Sequence, residues 1–397
     1  MKTAVQFGAG NIGRGFMGQL FWEAGFQTVF VDANPLLVDQ LNRQRCYPLR
    51  LLDAYARREI DLVIDHFTAL STDQADEVTA AVARADIAAT AVGAKILEAV
   101  APLLAAGIER RQRENPRPLD IYLCENIAIA AEILRKHTFA FLDEPGRNWA
   151  AAHIGFVGTS VARMVPAPSP RFGVSDPLFV VADAYHHLPY DAAAVRAAVP
   201  DIAGLRPVAH FRAEVERKLF TYNLGHAALA YLGHLKGFTY VHEPFGDEHL
   251  NAIFEGALDE TSAALLRRYP QDLPPAELQQ VRRDVRIRFG NPLLQDTVLR
   301  VGRDPIRKLG PDERLVGGAN LCLSQRIFPE RIALVCGAAL CFDHPADADA
   351  VRLQQMIQSQ GVADTLRQVA QVDSHTDFGQ RIISAYHEFR ESGKKWA

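Results

Sequence analysis

Cysteine is sparse in this 397-residue chain, with five residues at positions 46, 124, 322, 336 and 341. None forms a Cys-x-x-Cys pair or stands at metal-ligand spacing from a histidine. That excludes a zinc motif read from spacing and points to free thiols in a reducing compartment. An excess of charge is also lacking: 43 basic side chains face 47 acidic ones, for a net charge of −4. So even a balance excludes the electrostatic footprint of a nucleic-acid binder and the cationic helix of a membrane-surface protein. No run of 18 or more apolar residues is present to span a bilayer. No apolar signal region stands ahead of the first strand pattern in MKTAVQFGAG. Internal repeats and low-complexity tracts are missing as well. A cytoplasmic protein with neither nucleic acid nor membrane as partner is expected.

What is present is ordinary globular material, 48% apolar and 23% charged. The length exceeds one ordinary core and predicts two domains. Short apolar runs at Thr3 to Phe7, Gln27 to Val31, Leu62 to Ile64, Ile87 to Ala91 and Ile121 to Leu123 alternate with helical patterns. The helices are predicted at Ile12 to Glu23, at Thr72 to Val82 behind Ser71, and at Ala94 to Ala105. That alternation predicts a parallel sheet covered on both faces. Ala151 to Phe156 and Leu178 to Ala184 read as later strands of the same sheet, with a proline-rich loop from Val165 to Arg171 between them. Beyond about residue 200 the pattern turns helical, at Phe211 to Leu232, His249 to Tyr269, Pro275 to Phe289, Val351 to Gln358 and Gly379 to Glu391. The expected architecture is an N-terminal Rossmann-type α/β domain over residues 1–198 and a mostly α-helical substrate and catalytic domain over 199–397.

Gly8-Ala-Gly10-Asn11-Ile12-Gly13 follows a predicted strand and opens a predicted helix. In that context the glycines read as a dinucleotide loop. Gly8 makes the tight turn, Gly10 admits the pyrophosphate and Gly13 lets helix and strand pack closely. The helix N-terminus offers N–H groups and partial positive charge to the phosphates. Asp32 ends the second strand about 20 residues on, where a carboxylate binds the adenosine ribose hydroxyls and repels a 2′-phosphate. NAD is therefore the expected cofactor. Thr90-Ala-Val92-Gly93 ends a later strand at the carboxyl edge of the sheet, where small residues would let a nicotinamide ring approach.

The run Lys218-Leu-Phe-Thr-Tyr-Asn223-Leu-Gly-His226 places an amine, a carboxamide and an imidazole in one helical stretch. At α-helical rotation Asn223 and His226 lie roughly 140° and 80° round from Lys218. A desolvated lysine can serve as a base, an amide NH2 can donate to an alkoxide, and an imidazole can orient a hydroxyl. A surface ion pair with Glu214, four residues earlier, is the competing reading.

With the nucleotide motif, this run resembles the polyol-specific long-chain dehydrogenase family. Phe7 to Phe16, Thr90 to Gly93, Cys124-Glu-Asn126, His153 to Val157, Glu216 to Thr221, Arg300 to Arg303 and Arg307 to Leu309 carry the likeness over most of the chain. The resemblance implies metal-independent hydride transfer between fructose 6-phosphate with NADH and mannitol 1-phosphate with NAD. It implies Lys218 as general base, Asn126 and Asn223 as an oxyanion-stabilising pair, and His226 as the residue that positions the reacting oxygen. One position departs from the family: Val161-Ala162-Arg163 stands where Val-Asp-Arg is usual, so a carboxylate expected near the substrate is missing.

Arg300, Arg303, Arg307 and Lys308 form a basic cluster. Arg303, Arg307 and Lys308 are the expected phosphate group, through guanidinium and ammonium contacts. Asp304-Pro305 would start a short helix there and Gly310-Pro311 end it. His186-His187 and the Arg282–Arg288 stretch read as surface features. The alternatives are an unphosphorylated polyol or sugar acid as substrate, another two-domain dehydrogenase, or a non-catalytic NAD(H) sensor. Oligomeric state is open.

Overall fold

A computed structural model describes residues 2–127, 129–166 and 172–392, so part of the proline-rich loop expected at Val165 to Arg171 lies outside the described residues. The chain divides into two compact units, Met1–Glu214 and Val215–Ala397.

Among the described residues the first unit contains eleven strands: β1 (Thr3–Phe7), β2 (Gln27–Asp32), β3 (Tyr47–Asp53), β4 (Arg58–Ile64), β5 (Phe67–Ser71), β6 (Ile87–Thr90), β7 (Leu119–Leu123), β8 (Ile154–Gly158), β9 (Val180–Asp183), β10 (Leu188–Asp191) and β11 (Leu205–Val208). Six of them form a parallel sheet in the order β5-β2-β1-β6-β7-β8. From β1 the chain runs one way to β2 and later the other way to β6. The sheet therefore reverses direction between β1 and β6, and a crevice opens at their carboxyl ends. Side chains of β1 alternate across the sheet. Val5 and Phe7 pack with Val78, Val82, Val100 and Leu104 of the helices Ala75–Arg84 and Leu97–Glu114. Ala4 faces Phe16, Leu20 and Phe21 on the other side. Both faces are dry, which is why these strands read as nearly continuous apolar runs.

Two strand expectations need correction. Leu62 to Ile64 is the end of β4, which pairs antiparallel with β3, and Leu178 to Ala184 contains β9, which pairs with β3 at Leu49 and Val180. These three strands form a separate sheet instead of extending the parallel one. The edge of β3 that β4 leaves unpaired is taken by β9, so no open row of N–H and C=O groups remains there. Ala151 to Phe156 does reach the main sheet, as β8 beside β7.

The second unit is helical, and its longest elements among the described residues are Leu224–Leu235, Glu248–Arg268, Pro275–Phe289, Ala348–Ala370, which is kinked at Gly361, and Asp377–Ser392. Asp247 caps Glu248–Arg268, accepting from the N–H groups of His249 and Leu250. No helix among the described residues is long and apolar enough to cross a membrane.

Candidate active site

At the head of β1 the glycine loop has the geometry its sequence implies. Gly8 has φ +87°, and a Cβ there would lie 2.5 Å from the carbonyl oxygen of Ala91. At Gly13 a Cβ would meet the Gly8 carbonyl at 1.9 Å, so helix and strand could not approach so closely. Gly10 differs: nothing lies within 4 Å of the Cβ it lacks. Protein packing does not demand glycine at that position, and the open space is what an approaching pyrophosphate needs. Asn11 is exposed beside it and donates to the Val165 carbonyl at 3.3 Å, while Ile12 is half-buried.

Asp32 ends β2 with one carboxylate oxygen 2.7 Å from the Ala9 N–H and the other 2.9 Å from the Asn34 N–H. These bonds aim the carboxylate side chain at the loop and leave acceptor capacity for ribose hydroxyls. The helix after the loop is locally π-helical over Gly13–Met17. Its carbonyls are served by side chains: Tyr47 donates to Arg14 O at 2.8 Å, and Arg163 donates to Gly15 O at 3.1 Å. Arg163, the residue after the departing Ala162, is buried under that turn and braces the nucleotide loop. A dinucleotide with an unphosphorylated ribose fits these residues.

At the next strand end, Thr90 is fully buried and donates its hydroxyl to Glu125 Oε2 at 2.8 Å. Glu125 Oε1 accepts from the Val92 N–H at 3.0 Å. The Thr90 side chain thus fastens the turn, and Gly93, at φ +89°, carries it past the edge of the sheet. Sequence reasoning passed over Glu125, which ties the Thr90–Gly93 turn to the segment bearing the exposed Asn126. Burial raises its carboxyl above the ordinary range against the hydrogen bonds that lower it. The neighbouring Cys124 thiol is raised too, by burial, as suits packing and not nucleophilic chemistry.

In the second unit the predicted run departs from the expected helix. Phe211–Lys218 and Leu224–Leu235 are α-helical, but Leu219–Asn223 is a π turn, closed by the Leu224 N–H on the Leu219 carbonyl. An i→i+5 turn brings residues five apart into near register. Asn223 is therefore carried round the axis towards Lys218, nearer than the roughly 140° that uniform α-helix gives. Lys218, Asn223 and His226 are partly exposed, while Phe220, Thr221, Tyr222, Leu224 and Gly225 are buried. Two hydroxyls serve carbonyls around the wide turn: Thr221 bonds Arg217 O at 2.6 Å and Thr261 bonds Phe220 O at 2.8 Å. Glu214, four residues before Lys218, is buried rather than part of a solvated surface.

His226 lies flat on Phe289, ring centroids 4.5 Å apart and planes 14° from parallel. Its Nε2 is 2.8 Å from Asp296 Oδ2. Arg300 holds both oxygens of that carboxylate at 2.6 Å. Burial lowers the imidazole's proton affinity more than the carboxylate restores it. Burial alone would raise Asp296, but the imidazole and guanidinium bonds overcome it and hold the group well below the carboxylate range.

The basic cluster is present with partners of its own. Pro305–Lys308 forms the expected short helix with proline at its first position. Arg303 is exposed and reaches the Arg300 carbonyl at 3.3 Å. Arg307 pairs with Glu313 at 2.8 Å and Asp304 at 3.3 Å. Lys308 is 5% exposed and donates to the carbonyls of Val301 and Arg303. Burial, and then the charges of Arg314 and Arg307, push its ammonium down to about 7. The Arg282–Arg288 stretch is less solvated than expected: Arg282 pairs with Glu255, while Arg288 is buried over the Tyr222 ring at 5.2 Å.

Residues 2–204 match the mannitol dehydrogenase Rossmann domain and residues 210–390 the mannitol dehydrogenase C-terminal domain. The chain belongs to the mannitol dehydrogenase family. As a member it is an NAD-dependent oxidoreductase. It is 38% identical to the mannitol-1-phosphate 5-dehydrogenase of Brevibacillus brevis, over 91% of this chain and 92% of that one. The enzyme of the same name from Geobacillus thermodenitrificans is 37% identical over 99% of both chains. Among solved structures, a D-sorbitol dehydrogenase aligns with TM-score 0.81 at 17% identity, over 99% of this chain and 94% of that one. Pseudomonas fluorescens mannitol 2-dehydrogenase, in a ternary complex with NAD and D-mannitol, aligns with TM-score 0.79 at 18% identity, over 99% and 93%. Those two likenesses establish the family's fold in this chain.

Proposed function

We propose that the protein interconverts D-mannitol 1-phosphate and D-fructose 6-phosphate with NAD(H), using Lys218 as general acid and base. The observation that supports the chemistry is the π turn at Leu219–Asn223, which lies between Lys218 and His226 and brings Asn223 nearer the lysine's face than uniform α-helix would. The phosphorylated substrate is supported by full-length relatives named mannitol-1-phosphate 5-dehydrogenase and by the basic cluster.

Bound NAD supplies the hydride acceptor. Lys218 takes the alcohol proton as the oxygen gains alkoxide character, and returns it when the ketone is reduced. The carboxamide N–H groups of Asn126 and Asn223 donate to that oxygen. Being neutral, they stabilise the developing charge without trapping the alkoxide as a cation would. His226 orients the reacting oxygen. Arg303, Arg307 and Lys308 hold the phosphate, with Arg303 and Arg307 the members presented to solvent. A phosphate that engages Arg307 competes with Glu313 and Asp304, which is the observation favouring a second reading, an unphosphorylated polyol.

Rates of NADH oxidation with fructose 6-phosphate and with free fructose separate the two. Preference for the phosphorylated sugar by at least about 10²-fold in kcat/KM is expected, equivalent to two charge-assisted contacts. Turnover with fructose alone would contradict the phosphate reading.

A further inference from the structure

The imidazole of His226 has two nitrogens with different chemistry, and the surroundings of the ring decide which one is available. Nε2 is 2.8 Å from Asp296 Oδ2. Asp296 is 3% exposed, and Arg300 bonds both of its oxygens at 2.6 Å. A carboxylate held by a guanidinium is ionised and can only accept hydrogen bonds, so the proton between the two residues sits on Nε2. Stacking on Phe289 fixes the plane of the ring. Rotation by half a turn would break the Asp296 bond and strand a buried carboxylate without one of its donors.

The segment carrying Asp296 is itself pinned. Gln295 adopts a left-handed conformation at φ +47°, the Asp296 carbonyl accepts from the Val241 N–H at 3.0 Å, and Thr297 caps the helix Val298–Gly302 through the Arg300 N–H. Arg300 is therefore delivered to Asp296 from the first turn of a capped helix, four residues on.

We infer that Asp296, fixed by Arg300, is a positioning residue that locks His226 as the neutral Nε2–H tautomer and leaves Nδ1 as a hydrogen-bond acceptor for a substrate hydroxyl. The assignment rests on the proposed alcohol chemistry for what Nδ1 meets, but not for the tautomer itself. It divides labour within the site. The reacting O–H is directed at Lys218, so Nδ1 accepts from a neighbouring hydroxyl of the polyol and orients the reacting carbon's oxygen through it; because Nδ1 cannot donate to an alkoxide, donation to the developing negative charge falls to the carboxamides. The burial that disfavours imidazolium and the nearby cations Arg300 and Lys308 act in the same direction.

The test is nitrogen NMR of protein labelled with ¹⁵N in its histidine rings, at pH 7 and without substrate, with His226→Gln to assign the signals. The expected spectrum has a protonated Nε2 and a bare Nδ1 for His226. An imidazolium or an Nδ1–H tautomer of His226 in the wild-type protein overturns the inference. In Asp296→Asn, whose amide can accept or donate, a mixture of tautomers and a fall in kcat of about 10- to 10²-fold are expected, with NADH affinity unchanged. An unaltered tautomer with unaltered kcat overturns it as well. Failure of the sugar-phosphate reading is distinguishable, because it would abolish turnover with fructose 6-phosphate while leaving the wild-type nitrogen spectrum as expected.

Discussion

Single residues carry separable tasks. Asp32 directs its carboxylate at the nucleotide loop from the end of β2. Asp32→Asn keeps acceptors for the Ala9 N–H while removing the charge. It should lower the preference for NADH over NADPH by at least about tenfold, the worth of one lost repulsion in a partly exposed site, read as the ratio of kcat/KM values. An unchanged ratio would remove Asp32 from cofactor selection. Lys308 makes a pH prediction. Its ammonium, pushed down to about 7, is charged below that value and neutral above it. A sugar phosphate is already dianionic by pH 7, so KM for the phosphorylated substrate should rise between pH 7 and 9 as the ammonium is lost. Lys308→Met should flatten that rise, and an identical pH profile in the variant would exclude Lys308 from the phosphate site. Charge removal at Arg303 should raise KM for the sugar phosphate far more than KM for NADH, and equal effects would defeat the clamp. The tight turn at Gly8, the close packing at Gly13 and the place of Asp32 at the end of β2 could be read from the chain because their signals are local. Asp296 could not, since its partner His226 is far away in sequence. Its only local trace is the spacing to Arg300.

At the scale of elements, the two π turns matter most. Gly13–Met17 and Leu219–Asn223 each widen a helix where chemistry is expected, and each has side-chain donors on its carbonyls. Apolar periodicity locates helices well, and Pro275–Phe289 matches its predicted limits at both ends. It does not distinguish i→i+4 from i→i+5 closure, because the change is one inserted residue whose stability comes from distant hydroxyls such as Thr261. Thr261→Val keeps the shape and removes the donor to Phe220 O, leaving a buried carbonyl unserved. It should cost about 1–3 kcal/mol and lower Tm by several degrees, measurable by thermal unfolding. The β3–β4 hairpin escaped notice for a different reason. Its second strand is largely exposed and its first carries Pro48 and Arg50, so neither shows the buried-strand pattern. β9, which pairs with β3, cannot be placed in its sheet from sequence when β3 itself lacks a buried-strand pattern.

Across the whole molecule, the account is a division of labour. The Met1–Glu214 unit presents a dinucleotide crevice at the reversal of its parallel sheet, and the Val215–Ala397 unit presents the amine, amide and imidazole of Lys218, Asn223 and His226. This class of architecture could be read from the change of periodicity near residue 200, since alternating strands and helices give way to helices alone. The division is tested most directly in Lys218→Ala by measuring kcat for NADH oxidation with fructose 6-phosphate alongside the Kd of NADH from fluorescence titration. The account predicts a fall in kcat on the order of 10³-fold or more with Kd changed by less than about threefold. A loss of activity under about tenfold, or a parallel collapse of NADH binding, would contradict it.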